Sequence, residues 1–169
     1  RPEDIEAARR LTFEARGRDM FHSTLSLDPC FRGRYPDDVL AHWGADAPKV
    51  REGDMALIQQ DLDFLGINIY SGGMVRAGKE GHPEVVGYPN HHAHTFFNWP
   101  ITSEALYWAA KFLYEAYGKP IVITENGMAN MDWVAVDGTV HDPQRIDYMT
   151  RYLRGLETSL REGVKVLGY

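Results

Sequence analysis

The chain reads as an α/β protein, a parallel sheet joined by crossover helices, and as part of a larger barrel. Three observations predict this. The run Ile121-Val122-Ile123 is apolar and β-branched, and it stops on Thr124-Glu125-Asn126-Gly127. A second apolar run occupies residues 63–70, Asp-Phe-Leu-Gly-Ile-Asn-Ile-Tyr, and ends before Ser71-Gly72-Gly73. Helical periodicities flank these runs, and the order strand–helix–strand–helix–strand specifies a parallel sheet.

In chain order, residues 3–16 are predicted helical, with Pro2 in the first turn and Ile5, Ala8, Leu11 and Ala15 on one face. Residues 28–54 read as irregular, broken by Gly and Pro, with a short helix over 37–43. The strand over 63–70 follows. Residues 72–98, rich in Gly and His, read as a loop long enough to be functional. A helix over 103–117 presents Leu106, Ala110, Leu113 and Tyr117 inward and stops at Gly118. After the strand over 121–125 comes a loop over 128–141. Asp142-Pro143 is expected to cap a helix whose apolar set is Ile146, Met149, Leu153, Leu156 and Leu160. Gly163 ends it, and a strand begins at Val164. Each strand is uniformly apolar, so both sheet faces are expected to be covered. Three parallel strands leave two unpaired edges, and the chain begins on a helix and ends at a strand. It is therefore expected to be incomplete at both ends.

Composition narrows the function. Hydrophobic content of 44% and charged content of 25% over 169 residues are those of an ordinary globular domain. A net charge of −6 argues against nucleic acid or an anionic membrane as partner. No apolar run reaches the roughly 18–20 residues of a membrane span, and the start, Arg-Pro-Glu-Asp, does not read as a signal peptide. A single cysteine, Cys30, forms no internal disulfide, and a reducing, cytoplasmic setting is the default expectation. Cys30 is read as a small apolar filler.

Among candidate chemical groups, Glu125 stands first. A carboxylate placed where a buried strand meets its loop is costly without a partner, and in a barrel that place is the mouth of the active site. His91, His92 and His94 invite a metal reading. No carboxylate or cysteine stands at a ligand spacing from them, so a polar loop is the better account. Gly72-Gly73 and Gly78/Gly81 lack the strand–glycine–helix context of a phosphate site. No metal or cofactor is expected.

Four ordered blocks carry a family resemblance. They are Asp28-Pro29 with Gly33-Arg34-Tyr35-Pro36, the 63–70 run, the stretch from Asn98-Trp99-Pro100 to Thr124-Glu125-Asn126-Gly127, and Asp142-Pro143-Gln144-Arg145-Ile146-Asp147-Tyr148. Together they resemble the retaining β-glucosidases of glycoside hydrolase family 1. The resemblance implies a single (β/α)8 TIM barrel. Residues 1–169 would be its C-terminal-side portion, from the helix after strand five to the start of strand eight.

It also implies roles. Glu125 matches the catalytic nucleophile, and Tyr70 matches a tyrosine that hydrogen-bonds it. Asn68 matches a residue lining the sugar site. Trp99 matches a tryptophan on the leaving-group side, although the family's usual preceding glycine is here Asn98. Each of these has a purely structural alternative: a strand-end ion pair, barrel-mouth packing, a satisfied amide or a buried ring. Arg145 is read as structural, tying barrel elements together. The family's acid/base lies in an Asn-Glu-Pro block, and none occurs here.

The chain would thus supply the nucleophile for hydrolysis of a β-linked glucoside, with the acid/base outside it. The remainder of the barrel is the implied partner, either the rest of a nicked enzyme or a complementary half. The isolated chain is expected to be inactive. β-Glucosides are the base expectation, with β-galactosides and β-fucosides as side activities. The competing class is a carbohydrate-binding or interaction module derived from such a hydrolase; loss of the nucleophile would mark it, and Glu125 is present. An unrelated doubly wound enzyme would want a glycine-rich phosphate loop, which is absent.

Overall fold

A computed structural model describes residues 1–14 and 22–169, and the chain divides into two compact units. One comprises Arg1–Leu62 with Val75–Val86, the other Asp63–Met74 with Gly87–Tyr169.

The first unit is mostly helical. Helix α1 (Pro2–Phe13) starts on Pro2 as expected, but its buried residue is Ala7, while Ile5 is exposed. The predicted Ala15 and the helix end at residue 16 lie outside the described residues. Helix α2 (Ser23–Arg32) corrects the irregular reading of the segment from residue 28. Pro29 sits inside it and removes one backbone hydrogen bond. Thr24, Asp28 and Pro29 are buried on the same helix, and this burial overrides the local penalty. Asp28 pairs with Arg32 at 3.3 Å, and Gly33 closes the helix at a φ of 68°. Cys30 is half-buried and free. Helix α3 (Asp37–Trp43) matches the short helix expected, and α4 (Asp54–Ile58) adds another turn.

The presumed loop over 72–98 contains two strands, β2 (Met74–Ala77) and β3 (Pro83–Val86), which form a two-stranded sheet. Their glycine-rich link hid them from periodicity. Arg76 bridges to Glu84 at 2.9 Å, and Asp4 of α1 accepts the Ala77 amide at 2.9 Å. The Asp4 carboxyl is held far below the usual carboxylate range by its hydrogen bond from Arg1 and then by that amide.

The second unit carries the parallel sheet. Strand β1 (Leu65–Asn68) is shorter than the predicted 63–70. It pairs in parallel with β4 (Ile121–Glu125), which pairs in parallel with β5 (Val166–Gly168), giving the order β1-β4-β5. Helix α5 (Glu104–Tyr117) connects toward β4 and ends at Gly118 with φ 67°. Helix α6 (Pro143–Arg161) connects toward β5. The core is built from Leu65, Ile67, Ile121 and Ile123 of the sheet with Leu106, Ala110, Phe112 and Leu113 of α5. Fully burying a side chain of this size contributes about 1.5–3 kcal/mol. Tyr117, placed inward by periodicity, is only half-buried, and Phe112 takes that share of the core.

Three expectations fail here for physical reasons. The sheet is not covered on both faces: Leu65 and Ile67 are buried, whereas Gly66 and Asn68, which alternate with them, are exposed. Asp142 makes no side-chain cap; it adopts φ 50° and its carboxylate turns to Arg145. The buried face of α6 is Tyr148, Tyr152, Leu156 and Ser159, while Ile146, Leu153 and Leu160 are 60%, 40% and 46% exposed. Tyrosine hydroxyls that find internal partners can enter a core, and here two of them outcompete the aliphatic stripe. Gly155 on α6 allows α5 to approach: a Cβ there would lie 3.1 Å from the Ser103 carbonyl.

Candidate active site

Because β1 and β4 run parallel, their C-terminal ends share one edge of the sheet. The ladder keeps step from Leu65↔Ile121 to Ile67↔Ile123, then slips so that Asn68 faces Glu125. Thr124 is the extra residue of this bulge. By simple alternation Glu125 would follow Ile121 and Ile123 to the buried face. The slip re-aims it, and Thr124 and Glu125 are both exposed. The carboxylate is therefore not the buried charge inferred from the apolar run; it stands on the open side of the sheet.

Its partner is Tyr70. The phenol donates a hydrogen bond to Glu125 Oε2 across 55 residues of sequence. That bond chiefly, and partial burial next, push the Tyr70 phenol above the usual tyrosine range, so its proton is retained for donation. Asn68 lies opposite Glu125 and accepts the Thr124 hydroxyl at 2.6 Å. The Trp99 ring lies 5.4 Å from the Tyr70 ring at 56°, and Trp99 is 43% exposed, not a buried structural ring. Phe97 and then Phe96 continue the aromatic series at 5.7 and 6.0 Å. Asn98 adopts φ 60°, a left-handed conformation that asparagine tolerates better than most residues. Thr95 closes this turn, its hydroxyl accepting the Trp99 amide at 3.2 Å. Glu125, Tyr70 and Trp99 thus form one contact series, with Asn68 across the ladder.

Sequence reasoning missed the layer behind them. Asn126 donates to the Ile69 carbonyl at 2.7 Å and to the Tyr148 hydroxyl at 3.0 Å, and its Oδ1 accepts from Tyr169 at 3.0 Å. Tyr148 and Tyr152 both donate to the Tyr70 carbonyl. The signal was present as two tyrosines spaced i, i+4 on one helix and an asparagine directly after Glu125. Arg145 holds the loop after β4 to the start of its own helix: it reaches the Met128 carbonyl at 3.3 Å and Asp132 at 3.0 Å, and it pairs with Asp142.

Two of the three histidines engage backbone. His92 Nε2 meets the Ile101 carbonyl at 3.0 Å, and His94 Nδ1 meets the His92 carbonyl at 2.7 Å. Among the described residues no group of three His, Cys, Asp or Glu is placed to hold a metal ion. Gly72 serves close packing, since a Cβ there would lie 2.9 Å from that of Ala105. Among the described residues no helix is long and apolar enough to cross a membrane.

The chain is similar to known proteins over its whole length. The model for glycosyl hydrolase family 1 matches residues 1–169. A 1,4-beta-D-glucan glucohydrolase of Thermotoga neapolitana is 36% identical over 170 residues, covering 100% of this chain and 39% of that protein. A bifunctional beta-D-glucosidase/beta-D-fucosidase of Bifidobacterium breve is 37% identical over 175 residues, covering 89% of this chain and 37% of its own length. The solved beta-glucosidase from Thermotoga maritima in complex with noeuromycin superposes with a TM-score of 0.78 at 35% identity, over 99% of this chain and 36% of that one. The chain therefore spans well under half the length of the relatives it matches.

Proposed function

The chain belongs to glycosyl hydrolase family 1, and on that premise we propose that it supplies the nucleophile of a retaining β-glycosidase acting on terminal β-D-glucosides. The observation that carries this reading is the Tyr70 phenol donated to Glu125 at the shared end of two parallel strands.

Glu125 attacks the anomeric carbon and forms a glycosyl ester, while the leaving oxygen takes a proton from a second carboxyl. Water then attacks the same carbon, gives a proton to that second group, and releases Glu125. Tyr70 orients the attacking carboxylate. Trp99 offers a face to the leaving group, and Asn68 lines the sugar side. The second carboxyl lies outside these 169 residues, which form the C-terminal-side portion of one (β/α)8 barrel and work only with its remainder. Losing general acid catalysis costs a factor of roughly 10² to 10⁴, so the chain alone is inactive. The names of the relatives, glucan glucohydrolase and glucosidase/fucosidase, support a β-glucoside as substrate.

Mass spectrometry of the intact chain and of its proteolytic peptides after exposure to a 2-deoxy-2-fluoro-β-glucoside tests this, with the chain combined with a polypeptide completing a family 1 barrel. A single adduct on the peptide holding Glu125 is expected. An adduct on any other carboxylate would refute the assignment.

A further inference from the structure

Strand β1 ends at Asn68, and beyond it the main chain keeps one ladder bond, from the Ile69 amide to the Glu125 carbonyl at 3.0 Å. The carbonyls of Ile69 and Tyr70 must find other partners. Side chains provide them. Asn126 serves Ile69, and the Tyr70 carbonyl accepts two hydroxyls, Tyr148 at 3.0 Å and Tyr152 at 2.9 Å. Both tyrosines are buried, at 1% and 0% exposure, with rings stacked 3.9 Å apart. Each phenol oxygen is itself approached by a donor: Asn126 Nδ2 on Tyr148, and the Thr102 amide at 2.8 Å on Tyr152. With those donors in place, the Tyr70 carbonyl is the acceptor that both hydroxyls share, beside the contact between the two phenols.

One donor would leave that peptide free to pivot about a single bond; two donors on its two lone pairs fix its plane. The phenol that reaches Glu125 hangs from the same residue. We propose that Tyr148 and Tyr152 are positioning residues, which clamp the Tyr70 main chain and so set the geometry of the Tyr70–Glu125 pair from helix α6. This rests on the reading of Glu125 and Tyr70 as the reacting pair. Burial raises the Tyr148 phenol well above the usual tyrosine range, which keeps its donated proton in place at alkaline pH.

The test has a readout that needs no turnover, taken on the chain combined with a polypeptide completing a family 1 barrel. With tyrosine rings labelled for NMR, the Tyr70 signal is identified by its loss in Tyr70→Phe, and its titration is followed in Tyr148→Phe, Tyr152→Phe and the double variant. The expected result is a fall of the Tyr70 titration toward that seen in Glu125→Gln, with the double variant moving furthest. Unchanged titration in folded single variants overturns the proposal, and the singles carry the test if the double does not fold. Turnover in the completed barrel gives the second arm. Tyr148→Phe with Tyr152→Phe should lower kcat about 10-fold when Tyr70 is present, and not at all in a Tyr70→Phe background. Losses that simply multiply would show structural damage and defeat the clamp. If no β-glucoside is turned over or trapped, the functional reading fails while the titration still decides the clamp.

Discussion

A hydrogen bond from a neutral phenol to a carboxylate is worth roughly 1.5–3 kcal/mol. At about 1.4 kcal/mol per tenfold in rate, Tyr70→Phe should lower kcat of the completed enzyme by about 10- to 100-fold. Glu125→Gln removes the attacking atom and should cost on the order of 10⁴-fold or more. Because Glu125 is exposed, that change should leave the thermal midpoint almost unmoved. A wild-type rate for Glu125→Gln, read with an aryl β-glucoside, would end its assignment as nucleophile. Glu125 and Tyr70 were legible in the sequence, the one from an apolar run ending on a carboxylate and the other through the family blocks. Asn126, Tyr148 and Tyr152 were not, because an asparagine after Glu125 and two tyrosines spaced i, i+4 do not by themselves name partners that lie 22 to 82 residues away.

Among elements, α6 departs furthest from its pattern. Its aliphatic residues suggested one face, and the structure buries the neighbouring arc instead, since only that arc brings Tyr148 and Tyr152 to the Tyr70 carbonyl. Strand β4 and helix α5, with their β-branched run and terminal glycine, matched their local signals closely. Helix α2 and the β2–β3 strands were hidden by Pro29 and by loop glycines, where tertiary burial outweighs propensity. The contact between α5 and α6 is testable at Gly155. Alanine gains up to about 1 kcal/mol of helix propensity, but its methyl would press on the Ser103 carbonyl, a fixed backbone atom. Overpacking of this kind costs about 1–3 kcal/mol, so Gly155→Ala should lower the melting temperature. A rise would mean that the helices separate freely.

At the scale of the molecule, the sheet order β1-β4-β5 leaves both outer strands without a second neighbour among the described residues, and Leu167 of β5 is exposed. Sedimentation should show concentration-dependent self-association of the isolated chain, suppressed when a complementary barrel portion is added. A sharp two-state melt of a monomer would contradict the reading of this chain as a portion of a barrel. Stability should also fall in alkali. Tyr148 and Tyr70 titrate higher in the folded chain than unfolded tyrosines, which ionise near pH 10. Above about pH 10 the unfolded state holds fewer protons than the native one. The stabilisation is complete below that pH and is lost as pH rises through the folded values. Urea midpoints measured from about pH 8 to 11 should decline, and less steeply in Tyr148→Phe. The one-residue slip between Ile67 and Asn68 bears on whether this chemistry is portable. Grafted onto a regular ladder, Thr124-Glu125-Asn126-Gly127 would turn its carboxylate inward among aliphatic side chains. A transplant must carry both strands together with the flaw in their pairing, and a designer who tidied that flaw away would keep the fold and lose the reagent.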